Sequence, residues 1–317
     1  MENQEAHVGR NWRRLPETGT VLGIRFVVAL ATFAGRTAAT GFLAILALYY
    51  ALFSERARDA ASVYLPKVGE EPSFGNIHRL IHMFARATLD RLFFLQGRLA
   101  PFTIESHGHE HLVKLHEAQR GAILIGSHLG SFEAMRAASR NTKLRLAIVV
   151  DDRSAARLGR VLRELSPDHE LNVIPVDPSG FGTALRVKAA IDRGEIVGIL
   201  ADRASPDDTR NVFVDFLGEE APLPTGPFLI AHALKCPVLL TFGLFRAPNQ
   251  YDLYCEPFAE PLTLDRTDRQ ASLATWMQKY ADRLAHFTRL SPYNWFNLYA
   301  FWRRPVLKGT DSDDSRS

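Results

Sequence analysis

Ile123–Arg136 reads ILIGSHLGSFEAMR, and it decides the fold. ILIG is a short, wholly apolar run of the kind that forms a strand buried on both faces. FEAMR has helical spacing, and the Gly-Ser step before it marks a turn. Outward from this unit the alternation repeats: GAILIGS (121–127) before FEAMRAASR (132–140), LRLAIVVD (144–151) before SAARLGRVLREL (154–165), LNVIPV (171–176) before FGTALRVKAAIDRG (181–194), then EIVGILAD (195–202). Such βα units predict an α/β fold with a mixed, mostly parallel central sheet flanked by helices. NVFVDFL, CPVLLTFGLF and YDLYCEPF read as further strands. PTGPFLIAHAL reads as a helix with its proline and glycine near the start, and Arg266 to Leu290 has helical periodicity.

Upstream, Thr20 to Phe53 is apolar apart from Arg25 and Arg36. Its uninterrupted part, 37–53, is slightly short of the ~20 residues that a perpendicular membrane span needs. Arg36 and Arg56 at its two ends are expected to extend their heads to the interface, with Tyr49 and Tyr50 as interfacial rings. A cleavable signal peptide fits poorly, because a charged segment containing Trp12 and Glu17 precedes the run and no Ala-x-Ala site follows. The competing reading is a pair of buried helices in a soluble core. The expected organisation is an N-terminal apolar helical membrane anchor over residues 1–66, a polar joint KVGEEPSF, an α/β domain over 75–305, and a disordered tail over 308–317.

Composition is ordinary for a globular chain, with 46% hydrophobic and 23% charged residues, and the net charge of +3 is too small to argue for nucleic acid. Arginines 10, 13, 14, 25, 36, 56 and 58 cluster around the apolar region, which suits an anionic bilayer surface. Cys236 and Cys255 cannot build a disulfide framework and are expected to be buried.

In open α/β sheets functional groups gather beyond the carboxyl ends of strands. Three places qualify: Ser127 to Glu133, Asp151 to Arg153, and Asp202 to Arg203. His128 follows a buried strand and Glu133 comes five residues later. On one continuous helix the two side chains would point about 140° apart, so pairing requires a bend at Gly130 and Ser131. With Ser131 as cap, Glu133 lies in the first helical turn, where the macrodipole favours a carboxylate. There it would accept the proton of one ring nitrogen of His128 and leave the other to deprotonate an alcohol. The alternative is a core histidine and a solvated glutamate.

The H-x4-E arrangement, preceded by IESHGHEHLVKLHEAQRGAILIGS behind a hydrophobic N-terminus, resembles the lysophospholipid acyltransferase superfamily, within it the bacterial lipid A biosynthesis (lauroyl/myristoyl) acyltransferase branch and its relatives in glycolipid and aryl polyene clusters. The resemblance runs from roughly Trp12 to Trp302. It implies O-acyl transfer from acyl carrier protein or a coenzyme A thioester to a lipid or glycolipid hydroxyl, with His128 as base, Glu133 as its partner and no metal or redox cofactor. It also implies a place at the cytoplasmic face of a bacterial inner membrane. The superfamily's phosphate-binding arginine falls on Arg203, with Asp202 beside it, and Ser127, Gly130 and Arg153 complete the candidate substrate contacts. PLPTGPFLIAHALKCPVLLTFG resembles the block whose helix and strand line the acyl groove. The chain departs from the common pattern in having Ser127 where Asn often precedes the histidine, and ADR in place of Glu-Gly-x-Arg.

Other signals carry less. His107, His109, His111 and His116 invite a metal reading if alternate histidines share a strand face, but no cysteine or carboxylate pattern accompanies them. SGFG lacks the spacing of a dinucleotide loop, and no G-x-S-x-G elbow supports a serine hydrolase. A thioester or lipid hydrolase and a non-catalytic membrane scaffold remain as rival readings. The aromatic segment Ser291 to Trp302 is expected to pack on the body of the domain with partial membrane contact.

Overall fold

The computed structural model describes residues 21–138, 144–150, 172–177, 180–204 and 211–302. Arg153, the helix expected over 154–165 and the expected disordered tail lie outside these residues.

Four helices come first: α1 Val21–Phe33, α2 Gly35–Phe53, α3 Glu55–Lys67 and α4 Phe74–Leu95. Gly35, at φ +83, divides α1 from α2, a conformation that glycine adopts without a Cβ penalty. Ser54 and Ser73 cap α3 and α4 by accepting from the backbone N–H groups of Ala57 and Asn76. There follow β1 Thr103–His107, α5 His109–Glu117, β2 Ala122–Gly126, α6 Phe132–Ala138, β3 Leu146–Val150, β4 Asn172–Pro175, α7 Phe181–Asp192 and β5 Ile196–Leu200. The rest comprises β6 Asn211–Phe216, β7 Glu219–Pro224, α8 Gly226–Leu234, β8 Val238–Arg246, β9 Gln250–Ala259, α9 Arg269–Leu290 and a 3-10 turn at Pro292–Asn294.

Seven strands form one sheet in the order β1-β9-β8-β2-β5-β3-β4. The run from β8 to β4 is parallel, β9 returns antiparallel beside β8, and β1 lies parallel to β9. The mixed, mostly parallel sheet is thus as the sequence predicts. Every residue of β2 is buried, which explains its unbroken apolar run. The turn after β2 drives the Phe132 ring against β5, where a Cβ at Gly198 would sit 2.5 Å from Phe132 Cζ. A close approach of that kind leaves room only for glycine.

The sequence does not announce β7, EEAPLP, as a strand. It pairs only with β6, in a separate hairpin, so the missing N–H groups of Pro222 and Pro224 fall where an edge tolerates them. The histidine run also differs from a strand face. Gly108, at φ +76, ends β1, so His107 stacks on Tyr254 at 4.7 Å while His109, His111 and His116 belong to α5.

The N-terminal helices are stitched into the body. Ala39, Leu43, Ala47 and Ala51 form a buried stripe at i, i+4 spacing on α2, which packs on α4. Ala47, Ala51, Ala61, Tyr64 and Leu65 share one apolar cluster with Ile123, Ile125 and Leu240 of the sheet. The other face of α2 exposes Ile45, Leu48, Tyr49, Leu52 and Phe53. Among the described residues α2 is the one helix long and apolar enough to cross a membrane.

The expected snorkelling of Arg36 does not occur. Its Nε and Nη2 donate to the two carboxylate oxygens of Asp90 at 2.7 Å each, and its Nη1 donates to the Pro248 carbonyl at 2.9 Å. Asp90 is wholly buried and also accepts from the Tyr251 hydroxyl at 2.9 Å. Burial pushes the Asp90 carboxyl above its ordinary range, against the pull of Arg36 and Tyr251. A buried carboxylate close at hand is a stronger attraction for a guanidinium than a distant headgroup region, so the arginine latches α2 to α4 and to the loop before β9.

Breaking such a pair on one side leaves a buried charge uncompensated. Arg36→Ala is therefore expected to lower stability by about 3–5 kcal/mol. The joint replacement Arg36→Met with Asp90→Leu is expected to recover most of it, as read from urea unfolding of detergent-solubilised protein.

Candidate active site

Strands β2 and β5 are parallel neighbours in a register that sets Gly126 opposite Leu200. Both chains leave the sheet at the same level, and the Ala201 N–H donates to the Gly126 carbonyl at 3.0 Å. The next residues on each side are therefore adjacent: Ser127 and His128 from β2, Asp202 and Arg203 from β5. His128 Nδ1 lies 2.8 Å from Asp202 Oδ1, and the His128 backbone N–H donates to Asp202 Oδ2 at 2.9 Å. Asn297 Nδ2 donates to the same Oδ2 at 2.8 Å, and Asp202 is completely buried. Each oxygen of this buried carboxylate therefore has at least one donor.

Electrostatics follow from that enclosure. Burial by itself would raise the Asp202 carboxyl, but the imidazole and N–H of His128, together with Arg203, bring it down to about 2. Burial and the nearby Arg203 charge lower His128 from its ordinary 6.5, with Asp202 opposing them. At neutral pH the site holds a neutral imidazole against a carboxylate. The carboxylate fixes the proton on Nδ1, which leaves Nε2 as the basic atom. The His128 side chain keeps 27% of its surface accessible.

The turn beyond His128 is fixed from two sides. Gly130 has φ +70, its N–H donates to the Asn294 carbonyl at 2.8 Å, and the Ser131 N–H donates to the Gly243 carbonyl at 2.7 Å. The Phe296 N–H donates to the His128 carbonyl at 3.0 Å, so the aromatic segment pins the histidine from the C-terminal side. Asn294 in turn clasps both backbone groups of Phe245, at 2.6 and 2.9 Å. The Tyr280 hydroxyl donates to the Gly126 carbonyl at 2.9 Å, just beneath the histidine.

The bend at Gly130 and Ser131 is therefore present, and Ser131 caps α6 through Ala134 at 3.2 Å. Glu133 nevertheless does not take the place expected of it beside the ring. Asp202 holds Nδ1, and Glu133 Oε1 instead meets Arg91 Nη2 of α4 at 2.5 Å. The physical reason is strand register: β5 delivers a buried carboxylate to His128 directly, whereas Glu133 has left the sheet on a helix facing α4. Arg203 is also less free than a phosphate ligand would be. Its Nε donates to Asn297 Oδ1 at 2.8 Å and its Nη2 to the Phe296 carbonyl at 3.2 Å, so it braces the amide that serves Asp202. Ser127 is buried, at 6% exposure. Asn297 and Asn294 escape sequence reasoning, although two buried asparagines within the aromatic run NWFN are a visible signal of internal polar partners.

A half-buried histidine held by a buried aspartate at the carboxyl edge of an α/β sheet is an arrangement that can carry acid–base chemistry, and the pair itself contains no nucleophile. The family model for bacterial lipid A biosynthesis acyltransferases matches residues 13–304, and the chain belongs to that family. It is accordingly an acyltransferase of the lipid-modifying kind. No curated protein matches the chain.

Gly130 tests how tightly the turn is built. A Cβ there would lie 1.8 Å from the Gly243 carbonyl oxygen, on a left-handed backbone. Gly130→Ala is expected to lower both the melting temperature and the activity. Gly41→Ala, with open space around the new methyl inside α2, is expected to leave activity unchanged and to raise the melting temperature slightly, because alanine suits a helix interior better than glycine.

Proposed function

We propose that the protein moves a fatty-acyl group from acyl carrier protein or coenzyme A to a hydroxyl of a lipid or glycolipid acceptor, with His128 as general base and Asp202 as the group that orients it. The observation that carries this reading is the 2.8 Å contact of Nδ1 with a buried carboxylate, which leaves Nε2 as the basic nitrogen. Nε2 takes the acceptor's hydroxyl proton as the oxygen bonds to the thioester carbonyl carbon and the carbonyl electron pair moves onto its oxygen. Collapse re-forms the carbonyl, breaks the carbon–sulfur bond and returns the proton from Nε2 to the departing thiolate. Atoms and charge balance without a metal or redox cofactor.

The setting is a bacterial inner membrane, with the catalytic domain at the cytoplasmic face. Family membership supports membrane association, and the exposed apolar face of α2 supports contact with lipid. Arg36 ties that helix to the domain, so the site would stay close to the acceptor's plane.

Purified protein in mixed micelles should move label from an acyl thioester into a lipid fraction. Free fatty acid formed without an acceptor would indicate a hydrolase, and no turnover at all a scaffold. His128→Ala should abolish transfer, and Asp202→Asn should lower it on the order of 10⁴-fold, as the wrong tautomer is populated. Because the base must be neutral, activity should fall as pH falls, with the midpoint of kcat/KM below 6.5, the direction in which His128 is displaced. A midpoint well above that value would contradict the assignment.

A further inference from the structure

Glu133 and Arg91 form an ion pair at 2.5 Å beside the His128 turn, and neither joins the His128–Asp202 pair. Arg91 projects from α4 with 45% of its side chain accessible, while Glu133 retains only 15%. Glu133 lies in the first turn of α6, the helix that follows the His128 turn, so the ion pair holds the Arg91 guanidinium against the start of that helix.

Acyl transfer creates a negative charge on the thioester carbonyl oxygen, and donors must face it. Much of the backbone around His128 is already committed. The N–H of His128 serves Asp202, that of Gly130 the Asn294 carbonyl, that of Ser131 the Gly243 carbonyl and that of Ala134 the Ser131 hydroxyl. Arg203, the residue after Asp202, has Nε and Nη2 engaged by Asn297 and Phe296. Arg91 has its described partner, Glu133, on Nη2, and a half-exposed guanidinium that can present further N–H groups.

We propose that Arg91 stabilises the oxyanion of the transfer step and that Glu133, the carboxylate of the H-x4-E motif, is a positioning residue that holds Arg91 in place. The inference rests on the acyl-transfer reading above. It gives the motif's carboxylate a task distinct from orienting the histidine, which Asp202 performs. In the addition step the oxygen gains the carbonyl electron pair opposite the guanidinium, and it returns that pair when the carbon–sulfur bond breaks. Arg91 keeps its protons throughout.

Steady-state kinetics of Arg91→Ala, Arg91→Lys, Glu133→Gln and the double variant Arg91→Ala/Glu133→Gln provide the test. Arg91→Ala and Glu133→Gln are expected to lower kcat about 10²-fold, the scale of losing one oxyanion donor, with KM for both substrates unchanged. The double variant should be no slower than Arg91→Ala, because the two residues act as a unit. Arg91→Lys should restore part of the rate. Glu133→Gln should leave the acid limb of the pH profile where the wild-type protein has it. The proposal is overturned if Arg91→Ala raises KM while kcat holds, since the arginine would then bind substrate. It is also overturned if Glu133→Gln displaces the acid limb, since the carboxylate would then act on His128. Absence of transfer by the wild-type protein would count against the acyl-transfer reading itself, whereas normal transfer by Arg91→Ala would count against Arg91 alone.

Discussion

The parallel pairing of β2 with β5 is the constraint on which the site depends. Because Gly126 and Leu200 are opposite each other, the residues that follow leave the sheet side by side, and a histidine meets a carboxylate that is distant in sequence. The contact is worth having only because it is enclosed. Asp202 is buried and receives donors from His128 twice and from Asn297 once, so its charge is stabilised by fixed dipoles instead of water. A slip of one residue between these strands would turn His128 or Asp202 to the other face of the sheet.

That enclosure draws on elements at both ends of the chain. The aromatic segment after α9 supplies Asn294, Phe296 and Asn297, which fix the turn, the histidine backbone and the carboxylate in that order. At the other end, α2 is latched through Arg36 and Asp90, and α3 reaches the same aromatic segment where the Tyr64 hydroxyl donates to the Pro292 carbonyl at 2.5 Å. The rings of Tyr64 and Trp295 also pack together, tilted at 41° with their centroids 5.0 Å apart. The helices that present apolar surface outward are therefore mechanically continuous with the segment that pins His128. The exposed apolar face of α2 and the His128–Asp202 pair are thus joined through the packed helices and the aromatic segment.

Much of this was legible in the sequence. Strands buried on both faces, such as AILIG and IVGIL, show as unbroken apolar runs, and the turn at Gly130 and Ser131 follows from residue types that favour bends and caps. His128 was identifiable because it stands directly after such a run. Its partner was not. Spacing along the chain singles out Glu133, whereas the true neighbour is chosen by hydrogen bonding between strands, which leaves no local mark. The same limit applies to Arg36. An arginine inside an apolar stretch looks like an interfacial residue until Asp90, isolated on the apolar side of α4 in ATLDRLFF, is placed against it. In both cases the sequence shows that a charge needs a partner, and only the packing of distant elements shows which one.

Nitrogen-15 NMR of the His128 imidazole, in protein labelled at histidine, distinguishes Asp202 from Glu133 as the carboxylate that holds the ring, because the ring nitrogens report tautomer and hydrogen bonding independently of turnover. The expected spectrum is that of a neutral ring at pH 7, protonated on Nδ1 with a strongly hydrogen-bonded proton, a signature that Asp202→Asn removes and Glu133→Gln leaves in place. A signature that survives Asp202→Asn and disappears in Glu133→Gln would return the histidine's carboxylate to the H-x4-E motif and contradict the site described above.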